Sequence, residues 1–182
     1  MKNRSALLVV DVQESFRQRP YFDAAYLPAF FDRLGALLEG FGARGLPIVR
    51  ILHVEAEGAF SLASGLVVPM KELPYTPAAT FHKSVHSALS GTGLGAYLTK
   101  EGVNRLVISG IRTEQCCETT TRHASDSGFA VDYVTEATLT FPMRHKNGRD
   151  YSVAEIKERT ELVLTDRFAT ITTAAEALAR LD

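Results

Sequence analysis

The chain has 182 residues, 20 Lys+Arg against 21 Asp+Glu for a formal net charge of −1, and 46% apolar residues. That length predicts one domain spanning residues 1–182, with a core large enough to need no covalent staples. The balanced charge excludes a polybasic nucleic-acid surface and an acidic tail, and no run nears the roughly 18–20 apolar residues of a membrane span.

The opening "MKNRSALLVVDVQ" is too short and too soon interrupted, by Asp11 and Gln13, for a signal peptide. Ser5–Val10 therefore reads as a buried strand, and a cytoplasmic location is expected. Ala25–Gly45 places Phe30, Phe31, Leu34, Leu37, Leu38 and Phe41 at helical spacing, with Gly45 as a C-terminal cap. Pro47–Val54 is a second strand. Glu55–Ala79 is rich in Gly, Pro and Ser and reads as a long loop. Thr80–Lys83 is a short strand, Gly93–Gly102 the end of a helix, and Arg105–Ile111 a long buried strand. Thr113–Gly128 reads as a helix, Ala130–Ala137 as a strand, and Phe141–Ser152 as a polar loop. Ser152 and Glu155 form a capping-box pattern ahead of a helix to Phe168. Ala169–Thr173 and Ala174–Leu181 give a last strand and helix.

This alternation predicts an α/β fold of three layers, α/β/α. At its centre is a roughly six-stranded, mostly parallel, Rossmann-like sheet. Ligands of such sheets sit beyond the carboxyl ends of the strands. Three chemically capable side chains stand there: Asp11 after the first strand, Lys83 after "TFH", and Cys116 just after "RLVISGIRT". Each has a plainer reading, as a turn cap, a solvated lysine and a small buried hydrophobe; their joint placement points to a site. A helix N-terminus and a nearby cation lower a thiol's pKa, a carboxylate can carry its proton, and turn N–H groups can face an oxyanion. Such a group suits acyl transfer from a small amide through a thioester.

The only two cysteines, Cys116 and Cys117, are adjacent. In a reducing compartment they do not make a disulfide framework. They lie about 100° apart around a helix, so only one faces the strand ends. Cys117, in a stripe with Thr121 and Ala124, reads as the packing partner, although spacing alone leaves the choice open.

"LLVVDVQESF", "HKSVHSAL" and "VISGIRTEQCCETTTRHASDSGF" resemble the isochorismatase-like cysteine hydrolases, in the right order and over nearly the whole chain. The resemblance implies a catalytic triad of Asp11, Lys83 and Cys116, the cysteine three residues after Thr113. It implies a non-proline cis peptide at Ile111–Arg112, with the Arg112 and Cys116 N–H groups as an oxyanion hole. It also implies a homodimer or homotetramer. The D-x-H metal pattern of nicotinamidase members is missing from "ILHVEAEGAF", so no metal and no cofactor are expected, and His53 reads as a core or pocket-wall residue. Gln13, Phe16, Arg19–Phe22, His53 and Arg112 are expected to set the choice of a small-molecule substrate.

The favoured expectation is a cysteine-dependent hydrolase cleaving a C–N bond of a small amide or ureide. Two alternatives are an isochorismatase-type enol-ether hydrolase, and a redox-responsive binding protein without enzymatic activity.

Overall fold

A computed structural model describes residues 4–181. Six strands form one parallel sheet: β1 (Ser5–Val10), β2 (Ile48–His53), β3 (Ala79–Lys83), β4 (Arg105–Ile111), β5 (Ala130–Leu139) and β8 (Thr170–Ile171). The spatial order is β3-β2-β1-β4-β5-β8, and every neighbouring pair is parallel. The order therefore reverses between β1 and β4, and the crevice beyond their carboxyl ends is where such sheets bind ligands.

Both faces of the sheet are covered because the central strands are apolar on both sides. All six residues of β1 are buried. Alternate side chains point to opposite faces: Leu7 and Val9 join one apolar cluster, and Ala6, Leu8 and Val10 the other. α1 (Leu27–Ala43) and α5 (Ala174–Ala179) cover the first face through Leu34, Leu37, Phe41 and Ala177. α2 (Leu94–Lys100), α3 (Glu118–Asp126) and α4 (Val153–Leu164) cover the second through Leu94, Leu98, Ala124 and Leu164. Each fully buried aliphatic or aromatic side chain stabilises the fold by about 1.5–3 kcal/mol. No helix among the described residues is long and apolar enough to cross a membrane.

Helix ends follow the sequence signals. Gly45 has φ +61° beyond α1, a left-handed cap that a residue with Cβ rarely adopts. Ser152 and Glu155 close a reciprocal capping box on α4, as Thr173 and Glu176 do on α5.

Five segments differ from the sequence expectation; one is α4, which ends at Leu164 rather than at Phe168. Gly93–Gly102 holds the whole of α2 rather than the end of a longer helix: the helix begins only at Leu94, and Ser87–Leu89 before it is turn. Thr92 Oγ1 accepts from Leu94 N and donates to Ala88 O, which ends the turn and starts the helix. Thr113–Cys117 is a π-helical turn, one residue wider than α, before α3 proper. β5 runs two residues further, to Leu139. Within the polar loop, β6 (Met143–Arg144) and β7 (Asp150–Tyr151) pair as a short antiparallel ribbon.

The long loop after β2 is folded down rather than free. Phe60 and Met70 from it are buried in the core on the α1 face. Short helical turns at Gly58–Phe60 and Leu62–Ser64 shape it, and Pro69 bridges to Gln13.

The crevice depends on one close approach. Gly110, in β4, has φ +128°, and a Cβ there would lie 2.0 Å from the Val10 carbonyl oxygen. Both the steric and the backbone demand exclude any other residue. Gly110→Ala is expected to destabilise the fold by more than about 4 kcal/mol, in the range reserved for strained or overpacked core sites. Urea unfolding measures it; a midpoint indistinguishable from wild type would contradict this account.

Candidate active site

The strand ends deliver four side chains to one point. Asp11 follows β1, His53 ends β2, Lys83 ends β3, and Cys116 lies in the π-turn after β4. His53 and Lys83 are register partners across β2 and β3. Lys83 Nζ lies 2.7 Å from Asp11 Oδ2, 3.0 Å from His53 Nδ1 and 3.3 Å from Cys116 Sγ. The side chains of Lys83 and Asp11 are fully buried.

The Lys83–Asp11 contact is ionic rather than a well-angled hydrogen bond, since both Asp11 oxygens lack a hydrogen-bond partner among the described residues. Asp11 also has φ +54°, a left-handed conformation that Asp tolerates better than most residues. A buried carboxylate with an unpaired oxygen is costly to keep; here it faces a cavity shared with Cys116.

Burial sets the protonation states. It raises the Asp11 carboxyl above its ordinary value, and the opposing attraction of Lys83 does not restore it. Burial, then the neighbouring Asp11 charge, pushes the Cys116 thiol up to about 12. This corrects the expectation of a lowered thiol pKa: Lys83 pulls in that direction, but the other two effects win. The balance favours the protonated thiol. For Lys83, burial acts to lower the pKa, but Asp11 and Cys116 outweigh it and hold the ammonium above its ordinary value. Burial and the Lys83 charge bring His53 down to about 4, so its ring is neutral near pH 7.

The cavity over these groups holds about 90 Å³ and is lined by Asp11, Phe16, Arg19, Tyr21, His53, Glu55, Phe60, His86, Gln115 and Cys116. Phe16 meets Phe60 edge to face, with ring centroids 5.0 Å apart. Arg19 lies over Phe60 and pairs with Glu55 at 2.5 Å, closing one side of the mouth.

Asp11, His53 and Cys116 offer a carboxylate, an imidazole and a thiol atom all within 4.8 Å of one another. That matches the donor number of an open zinc site. The Lys83 ammonium lies against all three, however, so a divalent cation would meet a like charge there.

Cys117 is fully buried with Thr121 and Ala124, on the sheet side of the helix. The Ile111–Arg112 peptide bond is cis. The Arg112 carbonyl then accepts from Gln115 N and Cys117 N, opening the turn that carries Cys116. Tyr133 Oη donates to Thr113 O at 2.8 Å, and Thr113 and Thr138 share a hydroxyl hydrogen bond at 2.7 Å, so β5 braces this turn.

Four of the residues expected to set substrate choice do not line the cavity: Gln13, Pro20, Phe22 and Arg112. Gln13 is fully buried and does not line the cavity. Its amide accepts from His53 N at 2.7 Å and donates to His53 O at 3.0 Å, which spends it on joining the ends of β1 and β2. The Arg112 guanidinium also lies outside the cavity wall. It pairs with Glu114 at 3.0 Å, donates to Thr140 and the Phe141 carbonyl, and stacks behind Tyr21. Phe16 and His53 do line the cavity. The sequence reading missed Glu55, Phe60, His86 and Gln115. The last two flank Lys83 and Cys116 in sequence, a usable signal; Phe60 lay in a loop with no periodicity.

Residues 5–176 match the isochorismatase domain. The chain belongs to the isochorismatase family. It is 29% identical over 177 residues to the isochorismatase family protein YrdC of Bacillus subtilis, covering 95% of this chain and 94% of that protein. It is 32% identical over 144 residues to streptothricin hydrolase of Streptomyces noursei, covering 75% of this chain and 50% of that one. An isochorismatase-family protein from Chromobacterium violaceum superposes with a TM-score of 0.89 at 27% identity, over 98% of this chain and 93% of that one. The fold is thus that of an isochorismatase-family hydrolase.

The half-buried imidazole gives a pH test. Free histidine takes up its proton near 6.5, folded His53 near 4. As pH falls through that window the unfolded chain binds a proton that the fold refuses. The contribution of His53 to stability is therefore present above pH 6.5 and lost toward pH 4. Urea unfolding at several pH values is expected to show a steeper acid loss in wild type than in His53→Asn; parallel curves would contradict the neutral, half-buried ring.

Proposed function

We propose that the protein is a cysteine-dependent hydrolase that cleaves a C–N bond of a small amide or ureide. The observation that carries this reading is the contact of one buried ammonium, Lys83, with both a carboxylate and a thiol that open on the same small cavity. The streptothricin hydrolase relative, 32% identical over 144 residues, supports the hydrolase class by its name.

In this mechanism Asp11 takes the proton from the Cys116 thiol as sulfur bonds to the substrate carbonyl carbon. Its raised proton affinity, and an Oδ1 with no hydrogen-bond partner among the described residues, suit it to that task. Lys83 stabilises the sulfur anion while it lasts. The carbonyl oxygen becomes an oxyanion, received by the Arg112 and Cys116 N–H groups at the cis turn. Asp11 then gives the proton to the leaving nitrogen, and the C–N bond breaks to leave a thioester. A water molecule attacks that carbon, Asp11 receives the water's proton, and the thiolate departs and is reprotonated. No oxidant, reductant or metal enters the balance.

The cavity, at about 90 Å³, is smaller than a cavity of about 150 Å³ that takes benzene. It suits a carboxamide or carbamoyl head, with the rest of the substrate beyond Arg19 and Glu55. The charges on its wall are already paired, Asp11 with Lys83 and Arg19 with Glu55, which favours an uncharged reacting group.

The test is ammonia release from a panel of small amides, carbamoyl compounds and ureides. Wild type and Cys117→Ala are expected to turn over the same compound at similar rates. Cys116→Ala is expected to fall by about 10³-fold or more, the scale for removing a nucleophile. Equal loss in both cysteine variants would sink the assignment, and turnover that survives Cys116→Ala would point to enol-ether chemistry instead.

A further inference from the structure

We propose that His53 is a positioning residue: its Nδ1 lone pair holds the Lys83 ammonium in place between Asp11 and Cys116. The role rests on the hydrolase reading above and deepens it.

An ammonium has three N–H donors and no acceptor. Lys83 Nζ has three neighbours within reach: Asp11 Oδ2 at 2.7 Å, His53 Nδ1 at 3.0 Å and Cys116 Sγ at 3.3 Å. The residue is 2% exposed, which leaves little room for water to replace any of them. Two of the three partners change during the proposed reaction, since Asp11 gains and loses a proton and sulfur forms and breaks a bond. His53 alone does neither. It is the fixed third point that keeps the lysine from following whichever partner is more negative at the moment.

The geometry fixes more than position. To accept from Lys83, Nδ1 must carry a lone pair, so in the neutral ring the proton sits on Nε2. Nε2 lies 3.9 Å from Glu55 Oε1, on the pocket side. The groups that bear on the ring are Lys83, Glu55, His86 and Arg19, and Phe60 meets it edge to face at 6.0 Å. A ring protonated on both nitrogens would turn an N–H toward the ammonium and undo the arrangement. The backbone of His53 is itself pinned on both sides by the Gln13 amide. Gln13, His53 and Lys83 thus form a chain that ties β1 to β2 and delivers the cation to the thiol.

The experiment uses the full chain and the thiol itself, so that no substrate need be known. Iodoacetamide labelling of Cys116 is followed by mass spectrometry between pH 6 and pH 9 in wild type, Lys83→Met, His53→Leu and His53→Asn. Asn offers a carbonyl oxygen close to the position of Nδ1; Leu offers none. Labelling is expected to slow by about tenfold or more in Lys83→Met and His53→Leu, the scale of one lost hydrogen bond to a charged group. In His53→Asn it is expected to stay within about threefold of wild type, since the accepting atom is restored. Slow Lys83→Met with His53→Leu equal to wild type, or Asn as slow as Leu, overturns the role of His53 and leaves the triad standing. Lys83→Met labelled as fast as wild type overturns the triad reading and this role together.

Imidazole 15N NMR on the wild-type protein gives a readout independent of folding in the variants. The chain has five histidines, and the signal lost in His53→Asn identifies the ring. A neutral Nε2–H tautomer throughout pH 6–9 is expected. An Nδ1–H tautomer, or a ring protonated on both nitrogens at pH 7, overturns the proposal.

Discussion

A charge buried at the end of a strand sets the terms for the rest of this structure. The Lys83 side chain is fully out of solvent, and an unpaired ammonium there would cost several kcal/mol. The compensation comes from three different strand ends: a carboxylate after β1, an imidazole on β2 and a thiol after β4. None of these contacts forms until the sheet has its order and register. The β2–β3 pairing of His53 with Lys83 and the approach of Gly110 to Val10 are therefore conditions of the chemistry as well as of the fold.

How much of this could be read from the chain varies with the physical origin of each feature. β1, α1 and α4 were legible because apolar period and caps act locally: all six residues of β1 are buried, and Ser152 and Glu155 close their box as the sequence implies. The positions of Asp11, Lys83 and Cys116 were legible because an α/β sheet gathers its strand ends at one edge. The wrong start of α2 has a local cause that the apolar pattern hides, the Thr92 hydroxyl bonding at the turn. The roles of Gln13 and Arg112 were not legible, because nothing in a sequence says whether a polar side chain is spent inside the protein or left for a ligand. Gln13 is spent on the His53 backbone, and Arg112 on Glu114, Thr140 and Phe141. Phe60 reached the pocket wall through a loop whose path depends on burying Phe60 and Met70 in the core.

The protonation of Cys116 was the deeper miss. A cation and a helix start lower a thiol's pKa when solvent can reach it; in a dry site the balance changes sign. Burial and the adjacent carboxylate dominate, and the thiol stays protonated. This changes the chemistry rather than removing it. A preformed thiolate–imidazolium pair needs a strong resting cation beside the sulfur. A buried thiol beside a raised carboxylate instead needs a base with proton affinity to spare, and Asp11 has two oxygens without hydrogen-bond partners. In the proposed mechanism, ionisation is deferred to the moment at which an electrophile arrives.

Deferral also accounts for the two adjacent cysteines. Both thiols are raised by burial, Cys117 well above its ordinary value. Proximity in sequence therefore gives them nearly the same dielectric but different neighbours. The π-turn directs Cys116 to the cavity, where Asp11 and Lys83 stand within reach. One residue on, the helix carries Cys117 into the packed face with Thr121 and Ala124. A thiol with no base beside it and no cavity before it is a small hydrophobe. What separates the two is thus a proton acceptor and access, both set by the turn after β4, and the width of that turn decides which sulfur faces the cavity.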